Sequence, residues 1–258
     1  MYFFVDGCTI FQKTKGDHGV KPELIRTAMA VGEDGIKKLS GCGVIIFGLG
    51  GVGSYVFEAL CRAGVGRLTL VDGDTVSLSN INRQLCALHS TVGMNKTDVL
   101  AARAKDINPD CEVKVISEFL TADNADMFFS ERYDFCVDAI DDTRAKTVIA
   151  VKCAEKNIPL IASMGTGNKL YPDLFKITDI SKTEYCPLCK KMRRLYREAG
   201  VKKVTVLFST EQPREVMCEI PPEEITGRRP PASVSFVPGA AGLMIAGHVV
   251  RFIICNKS

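Results

Sequence analysis

Hydrophobic positions along this chain follow two rhythms. The apolar runs GVIIFG at 43–48 and, with two acids among them, YDFCVDAI at 133–140 read as buried strands, and IPLIASMGTG at 158–167 as another strand. Between them, SYVFEALCRAGV at 54–65, NKTDVLAARAKDINP at 95–109 and DTRAKTVIAVKCAEKN at 142–157 carry apolar residues at helical spacing, the second stopped by Pro109. RLTLVDGD at 67–74 and CEVKVISEFL at 111–120 add strands, and DNADMFFSER at 123–132 a short helix. Strand and helix alternate through the first two-thirds of the chain. That alternation predicts an α/β fold, a Rossmann-like, doubly wound, mostly parallel sheet.

The ends depart from this rhythm. Residues 1–20 show no clear period and read as an N-terminal arm, followed by ELIRTAMAVGEDGIKKL, whose helical spacing is broken by Gly32 and Gly35. Beyond Lys169 the alternation weakens into a basic excursion, from which KVTVLFST at 203–210 emerges as a late strand. PPEEITGRRPPAS at 221–233 is a polar loop and GAAGLMIAGHVVRFII at 239–254 a closing helix. The expected organisation is an arm at 1–20 and a single domain over 21–258, with a basic crossover segment at about 180–233 and no internal repeat.

Composition narrows the class. With 46% hydrophobic and 24% charged residues in 258, a packed core is expected. A net charge of +3 permits nucleic-acid binding without indicating it. Eleven scattered cysteines, an odd number, suit reduced thiols and a cytoplasmic location. The apolar start carries Asp6 and no basic leader, and the late stretch PGAAGLMIAGHVVRFIIC is interrupted by His248 and Arg251. Neither reads as a signal peptide or a membrane span, so no membrane partner is expected.

The candidate chemistry begins after the first strand. In GLGGVG, Gly48, Gly50 and Gly53 fit the G-x-G-x-x-G spacing, with Gly51 extra, and missing Cβ atoms let backbone amides approach a phosphate at the next helix. Alone, this fits NAD or FAD, and a tight packing turn as well. Asp72 and Asp74 follow about 20 residues on, where a carboxylate accepts from ribose hydroxyls. The next segment, TVSLSNINRQLCALHSTVGMNK at 75–96, concentrates Asn80, Arg83, Gln84 and Lys96. Cations aimed at one crevice suit the larger charge of a triphosphate, which favours ATP.

These residues together resemble the ThiF/MoeB superfamily of adenylating enzymes, relatives of the ubiquitin-activating enzymes. The resemblance runs from Arg26 onward and rests on GLGGVGS, AGVGRLTLVDGDTVSLSNINRQ and the G-x-x-K that ends at Lys96. A closer likeness, to the branch of tRNA threonylcarbamoyladenosine dehydratases, is carried by INPDCEVKVISEFLTADN, YDFCVDAIDDTRAK, VTVLFSTEQP and SVSFVPGAAGLMIAGHVV. It implies that Gly51 and its neighbours contact the adenylate, that Asp72 takes the ribose, and that Asn80, Arg83 and Lys96 face the phosphates. Asp141 matches the acid that holds magnesium, with Asp138 the lesser candidate, and Asp142 stands where Asn is frequent. Arg26 matches an arginine that reaches the phosphates of a partner subunit, which implies a homodimer. ATP and Mg²⁺ are the implied cofactors and modified tRNA the implied substrate. A sulfur-relay protein is left open as a further partner.

The chemistry is consistent with this. A carboxylate is a poor electrophile, and attack of its oxygen on an α-phosphate makes an acyl adenylate that leaves as AMP. Arg83 and Lys96 as surface salt-bridge partners and Asp141 as the cap of the helix at 142–157 are the structural alternatives.

CPLC at 186–189 has zinc-ligand spacing, but a structural site needs four ligands and no second pair is present. Ordinary loop thiols and a reactive thiol remain the other readings. His18, His89 and His248 are too dispersed to nominate a base. KKMRRLYREAGVKK at 190–203 places Tyr196 among seven cations, which suits RNA phosphates and base stacking or else a solvated helix face. The leading function is ATP-dependent dehydration of threonylcarbamoyladenosine in tRNA. Activation of a ubiquitin-like sulfur carrier is the runner-up, and an NAD-dependent oxidoreductase or a non-catalytic nucleotide-binding module lies further off.

Overall fold

The structure, a computed structural model, describes residues 19–218 and 231–256. The arm expected up to residue 20, apart from its last two residues, lies outside that range, as do His18 and most of the polar loop. Seven strands, β1 (Gly43–Phe47), β2 (Arg67–Val71), β3 (Glu112–Ile116), β4 (Phe135–Asp138), β5 (Leu160–Ser163), β6 (Phe175–Asp179) and β7 (Thr205–Ser209), form one sheet. Their order is β3-β2-β1-β4-β5-β7-β6, parallel except for β6. Helices α1 (Ile25–Ser40), α2 (Gly53–Arg62), α3 (Lys96–Ile107), α4 (Ala125–Phe128), α5 (Thr143–Lys156), α6 (Pro187–Glu198) and α7 (Phe236–Asn256) complete it. The doubly wound expectation holds.

β1 shows why an unbroken apolar run makes a central strand. Alternate side chains point to opposite faces, so Val44 and Ile46 pack with α2 and α7 while Ile45 and Phe47 pack with α4 and α5. Phe47 stacks 5.5 Å from Phe129 and 5.8 Å from Phe128, centroid to centroid. Truncating such a ring to alanine costs about 3–5 kcal/mol. β1 pairs in parallel with β2 on one side and β4 on the other, so the strand order reverses there, the switch point beyond whose carboxyl ends ligands bind in open α/β sheets.

Three local expectations change. α1 bends only at Gly32 (φ 78°, ψ 163°) and runs on through Gly35, which is buried with its Cα near Ile254. FKITD at 175–179, unassigned from sequence, forms the antiparallel edge strand β6, and the excursion after it contains the 12-residue α6. α7 is apolar enough by length and composition to cross a membrane, with mean hydropathy 1.6, yet half of that window is buried inside the fold, where Ala241, Ile245 and Val249 join the core around α2.

Candidate active site

The crevice is built on the turn between β1 and α2. A Cβ on Gly53 would collide with the Gly48 carbonyl, so the first residue of α2 must be glycine for the turn to close. Gly51 has a different reason. A Cβ there would sit 3.1–3.2 Å from the Pro238 ring of α7 and 3.4 Å from the stem of Arg83. The extra glycine therefore lets α7 and Arg83 close on the loop. Gly50 lies beside the buried Gln84 amide, 3.8 Å from where its own Cβ would be. Val52 caps α2 without a side-chain hydrogen bond, and the Ser54, Tyr55 and Val56 amides turn back to the Gly50 and Val52 carbonyls, each at 3.1 Å.

Asp72, at the end of β2, fastens this loop. One carboxylate oxygen accepts from the Leu49 N–H (2.7 Å) and the other from the Asp74 N–H (2.8 Å). Each oxygen keeps a lone pair for a further donor. Lys96 opens α3 with its ammonium 3.8 Å from Asp72 and 2.7 Å from Asp74, and is almost fully buried. Part of its charge is thus held by Asp74, which remains exposed to solvent.

Arg83 is half-buried, and its guanidinium donates to two neutral oxygens, Ser79 O (3.0 Å) and Asn82 Oδ1 (2.8 Å). Burial pulls its pKa down. It forms no ion pair among the described residues, so a half-buried cation without a direct counter-charge there stands beside the glycine loop. Asn80 spends its side-chain carbonyl on the Ser77 N–H (3.1 Å), which shapes the turn that carries Arg83.

Asp141 lies three residues past β4, exposed, with no hydrogen bond or ion pair among the described residues. The cap of α5 is its neighbour: Asp142 accepts from the Arg144 and Ala145 amides, each at 2.8 Å. The capping alternative for Asp141 is thereby corrected, because an N-cap must stand one residue before the first helical one. Asp138, the lesser ligand candidate, has no exposed oxygen. It is fully buried and paired with Lys146 of α5 at 2.9 Å. Burial raises its carboxyl pKa, against the pull of Lys146. Arg26 is exposed on α1 and makes no side-chain hydrogen bond or ion pair among the described residues.

On α6, Lys190, Lys191, Arg194 and Arg197 are exposed along one side of a shallow groove of about 530 Å³. Two other members of the expected stripe are engaged inside the fold. Tyr196 is 1% exposed, turned inward because its ring completes the apolar cluster under α6, so it cannot stack on a base. Arg193 donates to Ile180 O (3.2 Å) and to Thr183 (2.7 and 2.8 Å), tying α6 to the segment before it.

Sequence reasoning missed the residues that join the walls. Ser54 donates to Gly50 O (2.7 Å) and accepts from Leu85 N–H (3.1 Å), linking glycine loop to cation loop. Asn168 and Ala232 exchange hydrogen bonds at 2.7 Å, and Asn82 donates to Ser233 O at 3.0 Å, so residues 231–235 cross between the two loops. No spacing marked these. Lys146 was findable: it sits in the apolar stripe Ala145, Ile149, Ala150, Cys153, where a lone lysine demands a partner.

A glycine turn at a sheet's switch point, with Arg83 beside it and Lys96 next to the Asp72 that fastens it, marks a nucleotide-binding α/β protein. The chain belongs to the ThiF family, whose model matches residues 24–258. It is 45% identical over 236 residues to a tRNA threonylcarbamoyladenosine dehydratase of Bacillus subtilis, covering 88% of this chain and 93% of that one. The E. coli tRNA N6-threonylcarbamoyladenosine dehydratase solved in complex with ATP superposes with a TM-score of 0.80 at 31% identity, over 90% of this chain and 93% of its own. An adenylyltransferase and sulfurtransferase of Zea mays, MOCS3-1, aligns over 136 residues at 35%, which is 53% of this chain and 29% of its own.

Proposed function

We propose that this chain is an ATP-dependent tRNA threonylcarbamoyladenosine dehydratase. The observation that carries the ATP half is Arg83, a half-buried guanidinium with only neutral hydrogen-bond partners beside a glycine loop. The tRNA half rests on the relatives that span nearly the whole chain and on the exposed cations of α6.

Backbone amides of the glycine loop receive the adenylate, Asp72 takes the ribose hydroxyls with its spare lone pairs, and Arg83 and Lys96 face the phosphates. Lys96 exchanges part of its contact with Asp74 for a phosphate oxygen. Asp141, just past the carboxyl end of β4, offers an exposed hard oxygen donor, which suits Mg²⁺, an ion held by one or two carboxylates together with phosphate oxygens. Bound there, the metal would neutralise phosphate charge. The threonyl carboxylate oxygen attacks the α-phosphorus, the bond to the bridging oxygen breaks, and pyrophosphate leaves. Arg83 and Lys96 stabilise the charge growing on it. The carbamoyl nitrogen then attacks the acyl carbon, loses its proton, and expels AMP with the former carboxylate oxygen, so the ring closes with net loss of water.

Arg26, exposed and unengaged on α1, serves the crevice of a second copy in a homodimer. α6 lies along the tRNA phosphates.

Mass spectrometry of tRNA bearing threonylcarbamoyladenosine, incubated with the chain, ATP and Mg²⁺, tests this. A mass decrease of one water on the modified nucleoside is expected. An unchanged nucleoside, with adenylation of a ubiquitin-like carrier instead, overturns it.

A further inference from the structure

The geometry points to Cys186 and Cys189 as a reversible dithiol–disulfide pair, with Cys186 the thiol attacked by a hydroperoxide and Cys189 the thiol that resolves it. Cys186 is the N-cap of the 12-residue α6, and its sulfur accepts the Cys189 N–H at 3.5 Å. The preceding residue, Tyr185, is held at φ 58°, a left-handed conformation that a tyrosine rarely adopts, and this turn aims Cys186 at the helix start. Cys-x-x-Cys at a helix N-terminus is the arrangement in which amides and dipole favour a thiolate on the first cysteine.

A second observation comes from outside the helix. Lys169 is 5% exposed and donates to the Glu211 carbonyl at 2.6 Å, yet it forms no ion pair among the described residues. The Glu211 carboxylate is occupied by the Leu170 and Tyr171 amides. Burial lowers the Lys169 pKa, and the charge that most opposes this is that of Cys186. Glu211 opposes it next, so a thiolate at Cys186 adds charge to a buried ammonium that has no direct ion pair among the described residues.

The remaining groups agree. The Cys189 thiol hydrogen bond, followed by the amides of Cys189, Leu188 and Gly165, holds the Cys186 thiol below its ordinary range although burial opposes this. The Cys189 thiol is pushed up, first by the bond to Cys186 and then by burial. The Thr183 hydroxyl, and after it Arg193, pull the Cys189 thiol the other way without reversing this. Cys186 keeps a sliver of surface (7%) while Cys189 is sealed, so small reagents meet Cys186 first.

In the first step the Cys186 thiolate attacks one peroxide oxygen, the O–O bond breaks, and the leaving hydroxide or alkoxide takes a proton. Cys186 becomes a sulfenic acid. The Cys189 sulfur then attacks Cys186, its proton leaves with the departing hydroxyl as water, and the disulfide forms. Two thiols are oxidised by two electrons and one hydroperoxide is reduced. A small dithiol restores the pair.

The test uses the full chain, reduced, freed of reductant, and treated at about pH 6.5 with one equivalent of hydrogen peroxide, where ordinary thiols are protonated. After alkylation and trypsin, residues 183–190 form one peptide holding both cysteines. It should lose two hydrogens and escape alkylation, and dithiothreitol should reverse this. Cys189→Ser should leave Cys186 as a sulfenic acid trapped by dimedone, and Cys186→Ser should leave Cys189 reduced. The proposal falls if that peptide stays doubly alkylated while Cys218 and Cys255 take up the oxidant. Wild-type mapping decides even if the serine variants misfold, and the readout is a mass, so it is independent of adenylation.

Discussion

Two lysines in this molecule meet carboxylates at nearly the same distance and do opposite jobs. Lys146 lies 2.9 Å from Asp138 with both side chains fully sealed, between β4 and α5. Lys96 lies 2.7 Å from Asp74 with its own ammonium just as hidden, but the Asp74 side chain is 54% exposed. The sealed pair has no route to a ligand. In the open pair, a phosphate can replace the solvated carboxylate at little cost, because Asp74 returns to water it already touches. Burial of the cation alone does not mark a site; an exchangeable partner does.

The largest effect expected from breaking the comparison is on stability. Lys146→Met leaves Asp138 buried and alone, and removing one member of such a pair costs about 3–5 kcal/mol; urea unfolding should show it, and Asp138→Asn combined with Lys146→Met should recover much of the loss. Lys96→Ala should keep the fold and lose about 10²–10³ in turnover, the usual loss for one preorganised charge. Equal losses of stability in both lysine variants would erase the distinction. Asp142→Ala should cost about 1 kcal/mol as a lost helix cap, while Asp141→Ala leaves the melting temperature unchanged and abolishes turnover. This separates two adjacent acids by role.

A pH experiment sharpens the same contrast. Because burial raises the folded-state pKa of Asp138, the folded chain takes up that proton more readily than the unfolded chain. Its contribution to stability is present below the unfolded carboxylate pKa and is lost as pH rises through the folded value. Wild type should therefore show that slope, and Asp138→Asn should lack it. The smallest effect belongs to the surface: Arg194→Ala should weaken tRNA binding across sequences and reduce the salt slope by about 1 or less.

The same comparison shows what a sequence can disclose. β1, β4 and β5 were legible because a strand buried on both faces is mostly apolar, with only Asp138 and Ser163 as polar residues at the ends of β4 and β5. β6 was not, since an edge strand such as FKITD mixes polar and apolar residues. The glycine loop, Arg83 and Lys96 were legible as chemistry, and the reason for Gly51 was not, because Pro238 reaches it from the far end of the chain. Tyr196 misled for a related cause: among cations a tyrosine looks exposed, and only the packing under α6 shows that its ring faces inward. Asp141 and Asp142 differ by a single helix boundary, which periodicity does not resolve.

The central claim is that the crevice around Arg83 and Lys96 exists to activate an acid with ATP. Exchange of labelled pyrophosphate into ATP tests it most directly, using the full chain with tRNA bearing threonylcarbamoyladenosine. Exchange that depends on this tRNA and collapses in Lys96→Ala and Arg83→Ala is the predicted result. Exchange that ignores the tRNA and responds to a ubiquitin-like carrier, or binding of NAD with no binding of ATP, would contradict it.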